Sequence, residues 1–137
     1  MDVKTTFLNG NLDEEIYMEQ PEGFAKKGKK HLACKLKKSI YGLKQASKQW
    51  YLRFNDTIIS FGLKENAVDQ CIYLKVSGSK FIILVLYVDD ILLASNDLGL
   101  LHETKEYLPK NFKMVDMGEG NYVFGIEIFR DRSRGLL

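Results

Sequence analysis

Residues 81–95 read Phe-Ile-Ile-Leu-Val-Leu-Tyr-Val-Asp-Asp-Ile-Leu-Leu-Ala-Ser, and how this run folds decides the architecture. The eight residues before Asp89 and the four after Asp90 are all apolar or aromatic. Runs rich in Ile, Leu and Val of this length read as buried strands, and the break at the two carboxylates reads as a tight turn. Side by side, two ionised carboxylates repel each other and lose hydration against the apolar backing. A divalent cation relieves both problems, because hard oxygen ligands suit Mg²⁺. The alternative is an Asp-Asp hairpin turn that faces water. The dipeptide by itself leaves both open.

Outward from this run, a chain of 137 residues with 45% hydrophobic and 28% charged residues is one domain's worth of ordinary globular sequence. No N-terminal apolar segment reads as a secretory signal. The long apolar run is interrupted at its centre by Asp89 and Asp90, which argues against a membrane span. Cys34 and Cys71 are far apart with no CxxC, and His31 and His102 complete no zinc pattern. An intracellular, reduced protein without a structural metal is expected. Both ends read as cut from a longer chain.

Net charge is only +2, yet its sign changes along the sequence. Five acidic residues and no basic ones lie between Asp13 and Glu22; ten Lys or Arg and no acidic residue lie between Ala25 and Arg53. Tyr41, Trp50 and Tyr51 are interleaved with the basic residues. A basic stretch with aromatics fits phosphate-backbone binding, with rings to pack on sugars or bases. Lys26 to Lys30 read better as a solvated loop. For Lys35, Lys37, Lys38, Lys44 and Lys48 both readings stay open, as does a core role for Trp50.

A coarse pass predicts a strand end and turn over Asp2–Leu8, with a turn at Asn9-Gly10, and a short strand at Leu32–Leu36. An amphipathic helix is predicted over Lys44–Phe61 from Trp50, Phe54, Ile58 and Phe61, closed by Gly62. Strands Cys71–Val76 and Phe81–Val88 are joined by a loop at Ser77-Gly78-Ser79-Lys80, and Ile91–Ala94 returns after the Asp pair. Ser95-Asn96-Asp97 offers caps for a helix to about Asn111, with Pro109 expected to distort its last turn. Tyr122–Phe129 reads as one further strand. The sum is an α+β sandwich with a mixed sheet and two helices.

Four blocks in order, MDVKTTFLNGNLDEEIYMEQPEGF, KLKKSIYGLKQASKQWY, LYVDDILLAS and DMGEGNYVFGIEI, make the chain resemble the reverse transcriptase of copia-type LTR retrotransposons, especially plant ones. The resemblance covers essentially the whole chain. It implies a polymerase palm, a small antiparallel sheet backed by two helices, with fingers upstream and thumb, connection and RNase H downstream, so that residues 1–137 would be a partial domain. It implies an RNA-directed DNA polymerase that adds dNTPs to a primer 3′-hydroxyl. Expected partners are an RNA or DNA template with primer, dNTPs and the rest of a Pol polyprotein, including integrase and RNase H. The expected setting is a cytoplasmic virus-like particle or the nucleus, with no membrane.

By the same resemblance, Asp2, Asp89 and Asp90 match the catalytic carboxylates, and with Val3 they form the stretch that holds two Mg²⁺, with Mn²⁺ as an alternative. Three carboxylates from distant positions suit two-metal phosphoryl transfer, where positioning and charge neutralisation carry the reaction. Phe7 matches the aromatic that packs under the incoming sugar, although a core Phe after a strand has the same spacing. Tyr41, Gly42 and Lys44 match the block that contacts the incoming nucleotide and template. Tyr87 and Val88 match the primer-end segment, and Phe124 and Gly125 the segment that grips the primer backbone. Lys35, Lys37, Lys38 and Lys48 are further primer–template candidates.

Three positions depart from the family pattern: Val115 stands where Lys is usual, Thr6 where a small Ala is usual, and Asn11 where an acidic residue is usual. A basic residue near position 115 is a candidate proton donor to pyrophosphate, a role open to Lys113. The rival reading is a non-catalytic retroelement remnant that at most associates weakly with nucleic acid. Val115 favours it and the intact carboxylates oppose it. A metal-dependent nuclease fits poorly, because no extra acidic or His ligands accompany the three.

Overall fold

The computed structural model describes residues 1–24, 28–29, 31–123, 125–129 and 133–134. In chain order its elements are β1 (Asp2–Val3), a 3₁₀ turn (Thr6–Asn9), β2 (Tyr17–Met18), β3 (Cys34–Lys35), α1 (Ala46–Ser60), β4 (Lys64–Glu65), β5 (Ile72–Ser77), β6 (Lys80–Tyr87), β7 (Asp90–Ser95), α2 (Leu98–Asn111), β8 (Met114–Val115), β9 (Tyr122–Val123) and β10 (Ile126–Glu127). They form two compact units, Met1–Lys4 with Lys64–Leu137, and Thr5–Leu63.

The first unit is built on a six-stranded sheet in the order β4-β5-β6-β7-β1-β8, backed by α2. Every described strand pairing is antiparallel, so the expectation of a mixed sheet is corrected. The reason is connectivity: tight hairpins join β5 to β6 and β6 to β7, and no helix crosses over between neighbouring strands. One face of the sheet carries the buried Tyr73, Ile82, Leu84, Leu86, Ile91 and Val3. Helix α2 packs on β6, β7 and β8, and the Lys75–Glu103 ion pair joins it to β5 on this same face. Fully burying side chains of this size contributes roughly 1.5–3 kcal/mol each.

Two loops are tighter than the sequence suggests. Ser77 pairs with Lys80, so only Gly78 and Ser79 connect β5 to β6, with Gly78 at φ +64°. Tyr122–Phe129 is not one strand. Val123 pairs with Ile126, and Gly125 at φ +80° turns the chain back, giving the β9–β10 hairpin. Glycine supplies the positive φ such turns need without steric cost.

Helix α2 starts where Asp97 accepts the Leu100 N–H at 2.9 Å, the N-cap contact that satisfies an otherwise orphaned donor. It runs through Pro109 to Asn111, and Phe112 N–H still bonds the Leu108 carbonyl. Proline is tolerated there because it removes only a ladder bond close to the helix end.

In the second unit α1 ends in a Schellman motif: Leu63 N–H bonds Ile58 O and Gly62 N–H bonds Ile59 O, with Gly62 at φ +93°. Strands β2 and β3 pair Tyr17 with Lys35 and Met18 with Cys34. The expected strand at Leu32–Leu36 thus shortens to two residues, whereas the strand end and turn expected over Asp2–Leu8 are found as β1 and the 3₁₀ turn.

The Lys80 ammonium beside Asp97, followed by the Leu100 N–H, holds the Asp97 carboxyl below the usual carboxylate range. A lowered folded value means stability that is complete at neutral pH and is lost as acid takes the pH down through that value. Urea midpoints measured across acid pH should therefore fall less steeply for Asp97→Asn, which keeps the cap acceptor, than for the parent chain.

Candidate active site

Strand register assembles the first-unit residues. Tyr87 lies opposite Asp90, Asp90 opposite Asp2, and Asp2 opposite Val115, a single row across β6, β7, β1 and β8. Directly opposed residues share a face, and this face is the one opposite the buried Leu86, Ile91 and Val3. Asp89 sits beside the row in the β6–β7 turn, fixed by the Val3 N–H donating to its carbonyl at 2.8 Å. Asp2, Asp89 and Asp90 are thereby brought to one sheet edge, with Asp89 and Asp90 exposed and Asp2 half-buried.

The turn between Tyr87 and Asp90 is strained. Its first residue, Val88, has φ +57°, nearly the value that Gly78 takes in the other two-residue hairpin. A β-branched side chain in this region is a steric outlier, costing about 1–2 kcal/mol. Among the described non-glycine residues only Thr5, at φ +54°, shares it. Thr5 precedes the 3₁₀ turn that carries Phe7. Strain of this kind concentrates where a site must be held in one geometry.

The donor chemistry fits a hard divalent cation: three carboxylates from two strands and a turn, facing solvent. Among the described residues no three His, Cys, Asp or Glu side chains are gathered closely enough to hold an ion by themselves. Mg²⁺ commonly takes one or two carboxylates together with waters and substrate phosphates, so a partial protein set is adequate. The Val3 side chain is 2% exposed in the core, so only its main chain is open to such a role.

The β9–β10 hairpin carries Gly125 and exposes Tyr122 and Ile126. A Cβ at Gly120 would come 3.6 Å from Leu92 Cδ1, so this segment begins against the β7 residue two places beyond Asp90 on the same face. Phe124 lies outside the described residues, as do Lys26, Lys27 and Lys30.

In the second unit the structure joins two residues singled out from sequence. The rings of Phe7 and Tyr41 meet edge to face, centroids 4.9 Å apart at 66°. Phe7 is half-buried and Tyr41 is 56% exposed. Gly42 has φ +90° and nothing within 4 Å of an added Cβ, so the backbone turn itself demands glycine.

The basic stretch divides. Lys35 pairs with Glu15, whose carboxyl is held low first by that lysine and then by the Tyr17 hydroxyl. Lys37, Lys38, Lys44 and Lys48 are exposed. Trp50 is 2% exposed and in tilted contact with Phe54 at 5.4 Å, a core residue and no stacking platform. A cavity of about 470 Å³ lies by Lys35 and Lys37, but Asp13, Glu14 and Glu15 also line it. Three carboxylates there disfavour a phosphate backbone.

Sequence reading missed two contacts and one strained residue at these sites: the Asp2–Val115 pairing, the Phe7–Tyr41 contact and the positive φ of Val88. The first two are long-range and carry no local signal. Strain at Val88 was detectable in principle, since a two-residue hairpin at VDD leaves valine where glycine is preferred.

The family model described as "Reverse transcriptase (RNA-dependent DNA polymerase)" matches residues 1–135. The chain is 51% identical over 134 residues to the retrovirus-related Pol polyprotein from transposon TNT 1-94 of Nicotiana tabacum, covering 97% of this chain and 10% of that protein. Identity to the retrovirus-related Pol polyprotein from transposon RE1 of Arabidopsis thaliana is 38%, covering 95% and 9%. Identity to a putative transposon Ty5-1 protein of Saccharomyces cerevisiae is 33%, covering 93% and 42%. The chain thus spans about a tenth of the length of the two plant relatives. No solved structure matches it.

Replacing Val88 by Gly should relieve the turn and raise stability by about 0.5–1 kcal/mol, the steric gain less the added chain entropy of glycine. Urea denaturation of the variant against the parent measures this; an unchanged or lower midpoint would show that Val88 is not strained.

Proposed function

Because this chain belongs to the reverse transcriptase (RNA-dependent DNA polymerase) family, we propose that it is the palm portion of an RNA-directed DNA polymerase from a copia-type retrotransposon. The observation that carries this reading is the row Asp90–Asp2 with Asp89 at its side, three carboxylates from distant sequence positions held at one edge by backbone register. In the reaction the primer 3′-oxygen forms a bond to the α-phosphorus of a dNTP, and the bond from that phosphorus to the pyrophosphate oxygen breaks. Divalent cations, Mg²⁺ or Mn²⁺, supply Lewis-acid charge at the attacking hydroxyl and at the triphosphate. Asp2, Asp89 and Asp90 would hold that charge at the sheet edge, where the Val3 N–H bonds the Asp89 carbonyl.

Tyr87, next to Asp90 in the row, offers a ring beside the primer end, and Gly125 lies in the hairpin assigned to the primer backbone. Phe7, with Tyr41 against its ring, forms the floor for the sugar. Gly42 and Lys44 continue that nucleotide-facing segment. Lys37, Lys38 and Lys48 provide exposed charge for the template–primer backbone, and Lys35 is tempered by Glu15. The substrates of this reading are dNTPs and a primed RNA or DNA template. Its partners are the remaining parts of a Pol polyprotein, and its setting a virus-like particle or the nucleus. No helix among the described residues is long and apolar enough to cross a membrane.

A second reading, a non-catalytic remnant, is favoured by one observation: Val115 stands directly opposite Asp2, leaving no cation at the position nearest that carboxylate across the ladder. Mg²⁺-dependent primer extension on an RNA template, with this segment inside its full-length parent, separates the two. Extension supports the polymerase; none, with folding verified, supports the remnant.

In the active parent, Asp89→Asn should reduce extension to background; synthesis near the parental rate would remove Asp89 from the chemistry. Phe7→Ala should raise use of rNTPs relative to dNTPs by about ten-fold or more, the scale on which a pocket wall discriminates one small group. Tyr41→Ala should shift the same ratio in the same direction through its contact with the Phe7 ring, and Tyr41→Phe should not.

A further inference from the structure

The 3₁₀ turn that carries Phe7 is tied to helix α1 at a point away from the ring. The last carbonyls of a helical turn have no partner within it, and here side chains supply them. Asn9 Nδ2 donates back to the Thr5 carbonyl at 3.2 Å and to the Thr6 carbonyl at 3.3 Å. Arg53 Nη1, from α1, donates to the Asn9 carbonyl at 2.7 Å. The Leu8 N–H closes the turn on the Thr5 carbonyl at 2.9 Å. Phe7 sits between these bonded residues, with its ring against Tyr41.

The packing around the turn leaves it little freedom. Thr6 is 1% exposed, which anchors the turn inward on one side of Phe7. Just after the turn, Gly10 runs so close to α1 that an added Cβ would come 2.8 Å from Gln49 Cβ and 3.3 Å from the Trp50 nitrogen. Its φ of −69° is open to any residue, so closeness to the helix, and not backbone conformation, requires glycine. Gln49 lies one helical turn before Arg53 on the same side of α1, and its amide donates to Asp13. Gln49 and Arg53 thus hold the chain on both sides of Gly10. Thr5 keeps its φ of +54° at the start of the turn, and strain of this kind persists only where the surroundings over-determine it. A guanidinium bond to a part-buried carbonyl is charge-assisted and stronger than a neutral one.

We propose that Arg53, acting through the Asn9 carbonyl, is a positioning residue for the Phe7 ring and thereby for the choice between deoxyribo- and ribonucleoside triphosphates. The proposal rests on the reading of Phe7 as the floor for the sugar. A floor that discriminates by one hydroxyl works only if it cannot recede, and a displacement of about 1 Å is enough to lose much of such selectivity. Arg53 needs no contact with the substrate for this.

Two measurements test it, on variants shown to be folded by circular dichroism. In the 137-residue chain, hydrogen exchange of the Leu8 amide reads the turn without any synthesis. Arg53→Met and Asn9→Ala should speed it about ten-fold, the scale of one lost hydrogen bond. Ile59→Ala, at an exposed site of α1, should not. Unchanged exchange in both turn variants would overturn the proposal. In the full-length parent, kcat/KM for dNTPs and rNTPs reads the choice. Arg53→Met should raise the rNTP/dNTP ratio by about three- to ten-fold through a gain on rNTPs, which a merely damaged fold would not give. Arg53→Lys, which keeps a cationic donor, should stay near the parental ratio. In a Phe7→Ala background Arg53→Met should add nothing, because the ring it positions is gone. An unchanged ratio in Arg53→Met, where Phe7→Ala does shift it, overturns the proposal and leaves the sugar-floor reading intact. An unchanged ratio in Phe7→Ala removes that reading and the proposal with it. A parent that extends no primer removes the polymerase reading, and the role in sugar choice falls with it.

Discussion

The site depends on a strand only two residues long. Asp2 and Val3 lie between β7 and β8, and the main chain from Met1 to Lys4 bonds to residues far along the chain: Val3 N–H to Asp89 O, Ile91 N–H to Met1 O and Lys4 N–H to Lys113 O. Loop-closure entropy opposes such long-range pairing. What offsets it is the Val3 side chain, 2% exposed among the buried face residues, which anchors the strand by burial. Since side chains alternate at a period of two, seating Val3 inward leaves no freedom for its neighbours. Asp2 and Lys4 must face outward, in register with Asp90, Val115 and Lys113.

The same constraint accounts for where strain is stored. Two hairpins in the sheet close with two-residue loops, one with Gly78 at φ +64° and one with Val88 at φ +57°. The first shows that the fold tolerates glycine at such a place. The second uses a residue that resists the conformation, and it does so between Tyr87 and the paired carboxylates. The β6–β7 ladder runs from Ile82↔Ser95 to Tyr87↔Asp90, and the turn is held further by the Asp2↔Asp90 pairing and by the Val3 N–H bond to the Asp89 carbonyl.

Charge in the second unit is sorted by packing. Among its described residues, a stretch that looks uniformly basic in sequence contains a lysine paired with Glu15, a tryptophan in the core and five further lysines that are exposed, Lys29, Lys37, Lys38, Lys44 and Lys48. The acidic segment that precedes it supplies the partner for Lys35, and Asp13 accepts from the amide of the buried Gln49. The contact of Phe7 with Tyr41 turns two separately matched residues into one surface. A core role for Phe7 and a nucleotide-facing role are compatible there, because one edge of the ring is packed and the residue is only half-buried.

Much of this was legible in the sequence. The apolar run around Asp89-Asp90 named two strands and a turn, the spacing of Trp50, Phe54, Ile58 and Phe61 named α1, and Ser95-Asn96-Asp97 named the start of α2 without choosing its cap. Each follows from local rules: alternation, helical period and capping. Those rules could not give the hairpin within Tyr122–Phe129, the two-residue loop at Gly78-Ser79, or the all-antiparallel sheet, because a loop's length is set by which residues pair across it. By itself the sequence determined which chemistry is available: three carboxylates, an aromatic pair and a set of lysines, in blocks that identify the family. Only the tertiary structure decided which of them meet. Asp2 faces Asp90 and Val115, Lys4 faces Lys113, and Phe7 touches Tyr41, because a strand buried on one face must put its alternate residues on the other, at the single register its core side chain allows.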